Sequence, residues 1–432
     1  MKRLRFPRVL AACAALAGLT DLAAGADLFV GPGQSFAEVH AAVAAAQPGD
    51  RIFVAPGQYE GFDLTKPVEI RGSGVGATRI GSFSTPAATE VSGIPAGATA
   101  TLADMSFDPA WFLTLTFGAR IAVIDNHGTV VLQNVRVNQA PTAWHVGEAV
   151  FVKNTKRLLI QGCTLEGIST AGFPTPGVSG LVAESSGVDV TDSVLIAVGS
   201  GSDFPEPGAA GADLEGCTAR FARVQSTGGS GGADAFSAGP AGAGVKLAGS
   251  TLVIAGGPGN ELKGAFGPSM GGPGLEVTAG STASIAADVL LVGGPNLAGS
   301  GPAPGLAVEP GSTATALPHN LPALVPEPHQ VPIGAQFTLA HSGEPGALVV
   351  PAISGLLTPA QPLAGFSGLA HLELTLVVLL PAVALDGAGL GTTTVPVPAQ
   401  PSLAGADAWF QAAELAGGAA HLSNPARVEV SL

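Results

Sequence analysis

A repeat of about 31 residues is the feature that most restricts how this chain can fold. The strings AGST at 248–251, AGST at 279–282 and PGST at 310–313 follow one another at intervals of 31 residues. Each comes shortly after a segment in which apolar residues alternate, namely GVKL, GLEV and GLAV. A period of this length indicates a solenoid, in which each repeat is one coil that packs only against its neighbours.

The earlier half of the chain has a related repeat that indicates what one coil contains. VVLQNVRV (Val130–Val137) aligns with LLIQGCTL (Leu158–Leu165) after 28 residues and with VDVTDSVL (Val188–Leu195) after 30 more. Each block alternates, passes a polar or glycine corner and alternates again, which is typical of two short strands that meet at a bend. Strands of successive coils can stack in parallel about 4.8 Å apart. The sequence therefore predicts an all-β solenoid.

A short helix is predicted to close the N-terminal end of this solenoid. Ser35 and Glu38 have the spacing of a capping box, with Ser35 as the N-cap. Apolar residues then recur at helical spacing until Pro48-Gly49 ends the pattern, just before the strand RIFVA. A helix in this place would cover the apolar interior of the first coil, as the ends of a solenoid require.

The segment Phe36–Gly74 resembles the N-terminal start of secreted right-handed parallel β-helix proteins, the pectate-lyase-like group. The shared features are a helix, Pro-Gly-Asp, a strand, Ala/Pro-Gly-x-Tyr and a strand that ends in a Gly-rich turn. The resemblance covers roughly residues 27–320 and implies a right-handed parallel β-helix with coils of about 31 residues. For activity it implies, by analogy alone, a polysaccharide lyase or a glycoside hydrolase.

The period disappears from about residue 325, so a second unit is predicted there. Strand-like alternation continues in six or seven short segments separated by Pro-rich turns, which is typical of a small β-sandwich. The predicted organisation is a signal peptide at 1–26, a β-helix domain at 27–320, a Pro-rich linker at 321–332 and a β-sandwich-like module at 333–432.

The first 26 residues have the pattern of a secretory signal peptide. A basic start is followed by an apolar run from Val9 to Leu19 and by Ala24-Gly25-Ala26, a small-residue cleavage site. The apolar run is too short to span a bilayer. We therefore expect a secreted, extracellular or cell-surface protein of bacterial type without a membrane span.

The charge of the chain restricts its partners. Without the signal peptide, 14 basic and 31 acidic residues remain, a formal net charge of −17. A surface of this sign repels phosphate backbones, so nucleic-acid binding is not expected. The partners that fit are an extracellular polysaccharide or another component of the cell envelope.

A series of large residues follows the same period and marks one loop per coil. Its members are Trp144, Phe173, Phe204, Phe236, Phe266 and Leu297, at intervals of 29 to 32 residues. Two interpretations stay open for it: an apolar stack that anchors the loops, or an exposed aromatic ladder that binds sugar rings. In the second case Trp144, the adjacent His145 and the four phenylalanines are the candidate ligand-binding residues.

Catalytic candidates are sparse. Asp189 and Asp192 in VDVTDS form the nearest acidic cluster, with Asp189 facing outward and Asp192 at the corner, and Arg223 lies on the next coil. Solvated polar residues on a coil surface are one interpretation, and the edge of an acidic groove is the other. No histidine spacing fits zinc. No cofactor is therefore predicted, and calcium, which lyases of this fold generally use, has no supporting motif.

Two cysteines remain after removal of the signal peptide, and both are predicted to be unpaired. Cys163 aligns with inward Val135, whereas Cys217 takes the corner position of Ser250 and Ser281. The two cysteines lie about two coils apart, roughly 10 Å by strand stacking, which is beyond the reach of a disulfide. Of the two thiols, only that of Cys163 is expected to be buried.

Three functions fit these observations. The first is a noncatalytic secreted or surface protein whose loop-rich side contacts a glycan or a protein, and we favour it because no acid–base set converges. The second is a polysaccharide lyase or glycoside hydrolase, which follows only from the fold analogy, and a fold does not determine a function. The third is structural surface coverage without a ligand.

Overall fold

The structure is a computed structural model that describes residues 25–81, 88–108, 116–138, 145–169, 177–200, 206–232, 239–257, 259–296 and 302–431. The predicted signal peptide lies almost entirely outside these ranges. Between residues 27 and 316 the described chain consists mainly of parallel strands that stack coil upon coil. The predicted parallel β-solenoid is therefore confirmed by the strand pairing itself.

Two parallel sheets make up the solenoid. The larger has 16 strands: Asp27–Val30, Arg51–Val54, Gly57–Tyr59, Glu69–Gly72, Thr78–Ile80, Thr99–Phe107, Thr129–Val137, Arg157–Gln161, Thr164–Glu166, Gly187–Ile196, Thr218–Thr227, Thr251–Ile254, Glu261–Lys263, Thr282–Ile285, Leu290–Val292 and Thr313–Ala316. The smaller has nine: Asp63–Leu64, Thr89–Ser92, Ile121–Ile124, Val150–Lys153, Leu181–Glu184, Ala212–Glu215, Val245–Ala248, Leu275–Thr278 and Leu306–Val308. Thr116–Phe117 and His145–Val146 pair separately.

The 16-stranded sheet bends along one line, which confirms the predicted corner within each block. One residue per coil there has a positive φ of 50° to 64°; these residues, the bend column, are Asp104, Asn134, Gly162, Asp192 and Arg223. Asp, Asn and Gly tolerate this left-handed conformation better than other residues do, which explains most of the corner sequence. The bend turns the following residues onto a third side of the coil.

The strings that revealed the repeat occupy equivalent positions in successive coils. Thr251 pairs with Thr282, and Thr282 pairs with Thr313. Gly249, Gly280 and Gly311 each lie two residues earlier, and all three have a positive φ between 59° and 89°. They therefore lie along one edge of the solenoid, at the turn that enters the 16-stranded sheet.

Inward-facing apolar residues from both sheets form one continuous core. At the turn between the sheets, a polar side chain accepts a hydrogen bond from a backbone N–H of the preceding coil. Ser186 Oγ accepts from Thr155 N at 3.0 Å, Ser250 Oγ from Cys217 N at 2.9 Å, and Ser281 Oγ from Ser250 N at 3.1 Å. These bonds satisfy buried backbone donors that the turn would otherwise leave unpaired.

The N-terminal helix exists but begins later than predicted. It spans Val39–Ala45, its N-cap is Glu38, and no side chain caps it, so the predicted Ser35 capping box is wrong.

The C-terminal end of this helix is held by Lys66, whose Nζ donates to the backbone oxygens of Val43, Ala44 and Ala46 at 2.8 to 3.0 Å. A cation is favourable there because the last carbonyls of a helix carry partial negative charge. The buried Val39, Ala42 and Val43 join the solenoid core, as expected of a cap.

The C-terminal part contains two larger sheets that share one core. A three-stranded antiparallel sheet contains Ala323–Glu327, Gln336–Ser342 and Leu390–Pro396. A seven-stranded, mostly antiparallel sheet contains Gln330–Pro332, Leu348–Ser354, Val378–Leu379, Val383–Ala384, Asp407–Ala416, Ala419–Leu422 and Ala426–Ser431. Leu357–Pro362 pairs with Leu369–Leu372, and Leu374–Leu376 and Pro401–Leu403 are short 3-10 helices. Leu324 and Leu339 of the first sheet pack with Phe410 and Val428 of the second, as in the predicted sandwich.

The segment 321–332, predicted as a linker, supplies one strand to each of these sheets. Ala323–Glu327 pairs antiparallel with Gln336–Ser342, and Gln330–Pro332 pairs parallel with Ala426–Ser431. We therefore refer to residues 323–431 together as the C-terminal sandwich.

Both cysteines are free and buried, with Cys163 at 1% and Cys217 at 3% exposure, so the expectation of only one buried thiol is wrong. Burial raises the pKa of the Cys163 thiol to about 12.

Because the thiolate is the reactive form, we expect neither cysteine to be alkylated by iodoacetamide in the native protein. For the chain without residues 1–26, and so without Cys13, mass spectrometry should show two modifications after denaturation without reductant. Fewer than two would indicate a disulfide or another blocked thiol.

Glu414 is fully buried in the C-terminal sandwich, and burial raises its pKa to about 7. In the unfolded chain the Glu414 carboxyl has its ordinary pKa near 4.5. Between pH 4.5 and 7 it is therefore ionised in the unfolded state but still protonated in the folded state. Stability should therefore fall as the pH rises from 4.5 to 7, by up to about 3 kcal/mol. We expect Glu414→Gln to remove this loss.

The free energy of unfolding of Glu414→Gln and wild type should be measured at pH 4.5, 6 and 8. The advantage of the variant should grow with pH and level off above 7. A difference that does not change with pH would contradict this account of Glu414.

Candidate functional site

The middle part of the outer side of the 16-stranded sheet is covered by the C-terminal sandwich rather than by solvent. Val131, Gln133, Leu159 and Gln161 point away from the core by strand alternation, yet each is at most 6% exposed. Val131 and Leu159 pack with Leu372 and Trp409 of the sandwich. We call this outward surface, between residues 69 and 222, the docking face.

Arg427 is the centre of the contact between the docking face and the sandwich. Its side chain is completely buried, and its Nη2 lies 2.9 Å from Glu69 Oε1 of the solenoid and 2.7 Å from Asp407 Oδ1 of the sandwich. Its Nη1 donates to Gln133 Oε1 at 2.6 Å. Its backbone oxygen accepts from Gln133 and Gln161, each at 3.3 Å. Through this one residue, the last strand of the sandwich contacts three coils of the solenoid.

Arg71 is a second cation in the same network. It pairs with Glu69 at 2.8 Å, with Asp104 of the bend column and with Glu429 of the sandwich. Burial alone would raise the pKa of Glu69, but Arg427 and Arg71 hold it below its ordinary value. Glu69 therefore stays ionised between the two guanidinium groups.

Four further arginines of the solenoid contact the sandwich or the residue that leads into it, mostly through backbone oxygens. Arg51 donates to Ala404 O at 3.1 Å, Arg157 to Thr358 O at 3.4 Å and Arg220 to Pro322 O at 2.7 Å. Arg223 pairs with Glu327 at 2.7 Å. The contact is therefore a row of cations on the solenoid against carbonyl and carboxylate oxygens.

Of the predicted catalytic candidates, Asp189 faces outward as expected but lies under the sandwich. Its Oδ2 is 3.6 Å from Arg157 Nε, and its side chain is 17% exposed. Burial raises the pKa of Asp189, although Arg157 and Arg220 oppose this. Asp189 thus serves as a buried counter-ion rather than as a solvated surface residue.

Asp192 and Arg223 are brought together, as the groove hypothesis requires. Arg223 Nη2 lies 2.9 Å from Asp192 Oδ1. His329 of the sandwich is the third member: Gln161 Nε2 donates to its Nδ1 at 2.8 Å, and its Nε2 is 3.8 Å from Asp192 Oδ2. His329 and Arg223 hold the pKa of Asp192 below its ordinary value despite partial burial. A carboxylate that stays ionised in this way is a hydrogen-bond acceptor rather than an acid.

A cleft of about 430 Å³ lies beside this group, between the bend column and the segment 326–330. Its walls are Arg71, Asp104, Gln133, Asn134, Asp192, Pro326, Glu327, Pro328, His329 and Gln330. Amides, carboxylates and one imidazole line it, which suits a ligand with many hydroxyl groups. We take this cleft as the candidate functional site.

The predicted aromatic ladder can be located only in part. Trp144, Phe173, Phe204 and Phe236 lie outside the described residues, as does Leu297. His145 belongs to the short strand that pairs with Thr116–Phe117. Phe266 is 41% exposed, so at least this member of the series presents its ring to solvent.

Two further observations concern the described ranges alone. Within them, no three or more His, Cys, Asp or Glu side chains are grouped so that they could hold a metal ion. None of their helices has the length and apolar character needed to cross a membrane.

Sequence reasoning missed Glu69, Arg71, Asp104 and Arg427, and one signal could have found the last of these. Arg427 is the only basic residue after Lys263. A lone cation in an acidic module is a reasonable candidate for a structural ion pair. Glu69 and Arg71 lie in an ordinary alternating strand, whereas Asp104 takes the polar corner position of its coil, opposite Asn134.

No protein-family model matches this sequence, and no curated protein matches it. Among solved structures, the chain is similar to pectate lyase Pel9A at 14% identity, covering 69% of this chain and 76% of that one, with a TM-score of 0.37. It is similar to tailspike protein 2 of Escherichia coli O157:H7 bacteriophage CAB120 at 10% identity, covering 88% and 60%, with a TM-score of 0.27. For Escherichia coli alpha-2-macroglobulin the identity is 13%, over 27% of this chain and 13% of that one, with a TM-score of 0.19. Similarities this distant do not assign a function.

Replacing Arg427 by Met should strongly destabilise the protein. The change leaves Glu69 and Asp407 buried without this cation, and breaking a buried pair in this way costs about 3–5 kcal/mol. Chemical denaturation should show this loss. Glu327→Gln is the matched control because the Glu327 side chain is 52% exposed. It should cost about 1 kcal/mol or less. Equal stability of both variants would contradict a central role for Arg427.

Proposed function

We propose that this protein is a noncatalytic, secreted or cell-surface β-helix protein that binds an extracellular glycan or another glycan-bearing component of the cell envelope. The observation that carries the proposal is that the charged residues of the docking face are engaged in ion pairs with each other and with the C-terminal sandwich. The cleft beside them keeps hydrogen-bonding groups without a free acid–base pair.

The engagement of the candidate acids argues against turnover. A hydrolase needs two carboxyl groups with different protonation states on either side of the scissile bond. Asp192 is held ionised by Arg223 and His329, and Asp189 is paired with Arg157 under the sandwich. Neither is therefore available as a free acid in the cleft.

The make-up of the cleft favours a polyhydroxylated ligand. Asn134 and Gln330 supply amides, and Asp104 and Asp192 supply carboxylate acceptors. Polar groups fixed by neighbouring hydrogen bonds, such as Asn134 Nδ2 to Asp104 Oδ1 at 2.7 Å, are already oriented for a ligand. Such preorganisation lowers the entropic cost of binding.

One observation favours the alternative, a polysaccharide lyase or glycoside hydrolase. Asp192 lies 2.9 Å from Arg223 and 3.8 Å from His329, beside the cleft. A carboxylate and an imidazole this close are the kinds of group that act in general acid–base catalysis.

The two functions are separated by incubating the full chain with neutral and acidic polysaccharides and measuring reducing and unsaturated ends. We expect no release of either, together with retention on at least one immobilised glycan. Asp192→Asn would abolish a real activity, whereas Asp125→Asn would not. Asp125 is the matched control because it has the same positive φ at the other corner of the coil. Turnover lost only in Asp192→Asn would replace the proposal with the enzyme alternative.

A further inference from the structure

We infer that two copies of this chain pair through one edge of the seven-stranded sheet, at residues 378–384. We call this segment the open edge. Pairing about a two-fold axis would join the seven-stranded sheets of the two copies into one continuous antiparallel sheet.

The open edge is held to the rest of the sheet on one side. Val378–Leu379 and Val383–Ala384 pair antiparallel with Leu348–Ser354. Between these two pairings, the backbone N–H of Leu380 donates to Pro351 O at 2.8 Å. Within the described part of the chain, no strand pairs with the other side of the open edge. Backbone N–H and C=O groups therefore point away from the sheet there, and such groups can pair with a strand of another chain.

The usual protection of an exposed edge is nearly absent here. Natural edge strands avoid unwanted pairing with charged side chains, prolines and bulges. Pro381 interrupts the open edge, but residues 374–385 include no charged side chain. Leu379 is 68% exposed, and Ala382 and Ala384 are exposed as well. Covering this apolar edge with a second strand would remove it from water, which is favourable.

The outer face of the sheet beside the open edge is apolar too. In register, Ala384 lies opposite Leu348, and Leu348 lies opposite Leu415. Leu348 and Leu415 are 41% and 43% exposed. Trp409 lies on the same face of the strand that contains Leu415, and it packs on the docking face of the solenoid. Leu415 is six residues further along, about 20 Å, so this face continues an existing contact surface past the part that the solenoid covers.

The exposed apolar side chains of the described chain are concentrated in the C-terminal sandwich. Eight of the fourteen large ones belong to it, although the solenoid is the longer part: Leu348, Leu356, Leu369, Leu374, Leu376, Leu379, Leu390 and Leu415. A concentration of this kind is typical of a surface that contacts another protein.

The distribution of charge argues that the occupant is a second copy of this chain. Of the 40 residues from Gly346 to Leu385, only Glu373 is charged, whereas 12% of the whole chain is charged. Two copies of so acidic a protein repel each other over most of their surface, and this stretch lets them approach without facing like charge. An antiparallel pair of identical strands is also symmetric about a two-fold axis, so the open edge is complementary to itself.

Pairing at the open edge leaves the cleft accessible. The order of the main strands in the seven-stranded sheet is Gln330–Pro332, Ala426–Ser431, Asp407–Ala416, Leu348–Ser354 and then the open edge. The cleft lies at Gln330, next to the first of these strands. Four strand spacings, about 19 Å, therefore separate it from the open edge, and a dimer would present two clefts.

The test is sedimentation velocity of the full chain over a wide range of concentration, in which we expect a concentration-dependent dimer. Leu379→Asp and Ala384→Asp place like charges across the new strand pair. Each should raise the dissociation constant of the dimer at least about tenfold. Leu290→Asp is the matched control, because it adds the same charge at a leucine of the solenoid that is 54% exposed. It should stay within about threefold of wild type. Thermal unfolding of each variant checks that the fold is intact.

Hydrogen exchange shows where the two copies meet. Backbone amides of residues 378–384 should exchange more slowly in the wild-type dimer than in monomeric Leu379→Asp. A dimer that neither edge variant weakens, or that gives these amides no added protection, would overturn the inference. A wild type that stays monomeric at every concentration would overturn it as well. If that monomer bound vesicles of phosphatidylcholine, the occupant of the apolar face would be lipid instead of a second copy.

Discussion

The buried guanidinium of Arg427 is the interaction on which the relation between the two parts of this molecule depends. It is surrounded by Glu69, Asp407 and Gln133, and its backbone is held by Gln161. Removing such groups from water is expensive, and their mutual attraction offsets the cost only when the geometry is good. An arrangement that satisfies Glu69 and Asp407 at once leaves little freedom for the sandwich to shift along the solenoid. The ion pairs therefore specify where the sandwich docks, while Val131, Leu159, Leu372 and Trp409 supply apolar burial.

The candidate site follows from this docking. A solenoid face alone is a flat, ridged surface, and flat surfaces bury little of a small ligand. The segment 326–330 stands beside the bend column and converts one edge of that face into a cleft. The sandwich also determines the chemistry of the wall, because His329 and Glu327 bind to the Asp192–Arg223 pair. The bend column gives the cleft its other wall, since a left-handed corner residue turns its side chain away from the strand rows.

The solenoid could be predicted from the sequence because contacting residues in it are separated by a constant offset. The residue type at one position of a coil, such as Ser250 at a corner, recurs about 31 residues away. A contact between neighbouring coils therefore appears in the sequence as a repeat. The contact between the solenoid and the sandwich leaves no repeat in the sequence, because Gln133 and Arg427 are 294 positions apart and Glu69 and Arg427 are 358 apart. One local sequence feature does indicate, however, that this face of the solenoid is covered. In Val130–Leu132 and Leu158–Ile160 the apolar run does not alternate, which is typical of strands covered on both sides.

Contacts at both ends of the docked sandwich have a consequence for how such a protein can change in evolution. Arg51 binds Ala404, and Ser342 Oγ donates to Gly256 O at 3.0 Å, so one compact module spans the coils from the second strand row to the ninth. Solenoids ordinarily grow or shrink by duplicating or losing a unit, since each unit depends only on its neighbours. Here a coil gained or lost between Arg51 and Gly256 would move one anchor by about 4.8 Å relative to the other. The sandwich therefore fixes the number of coils between these two contacts, and coils can be gained or lost only outside them.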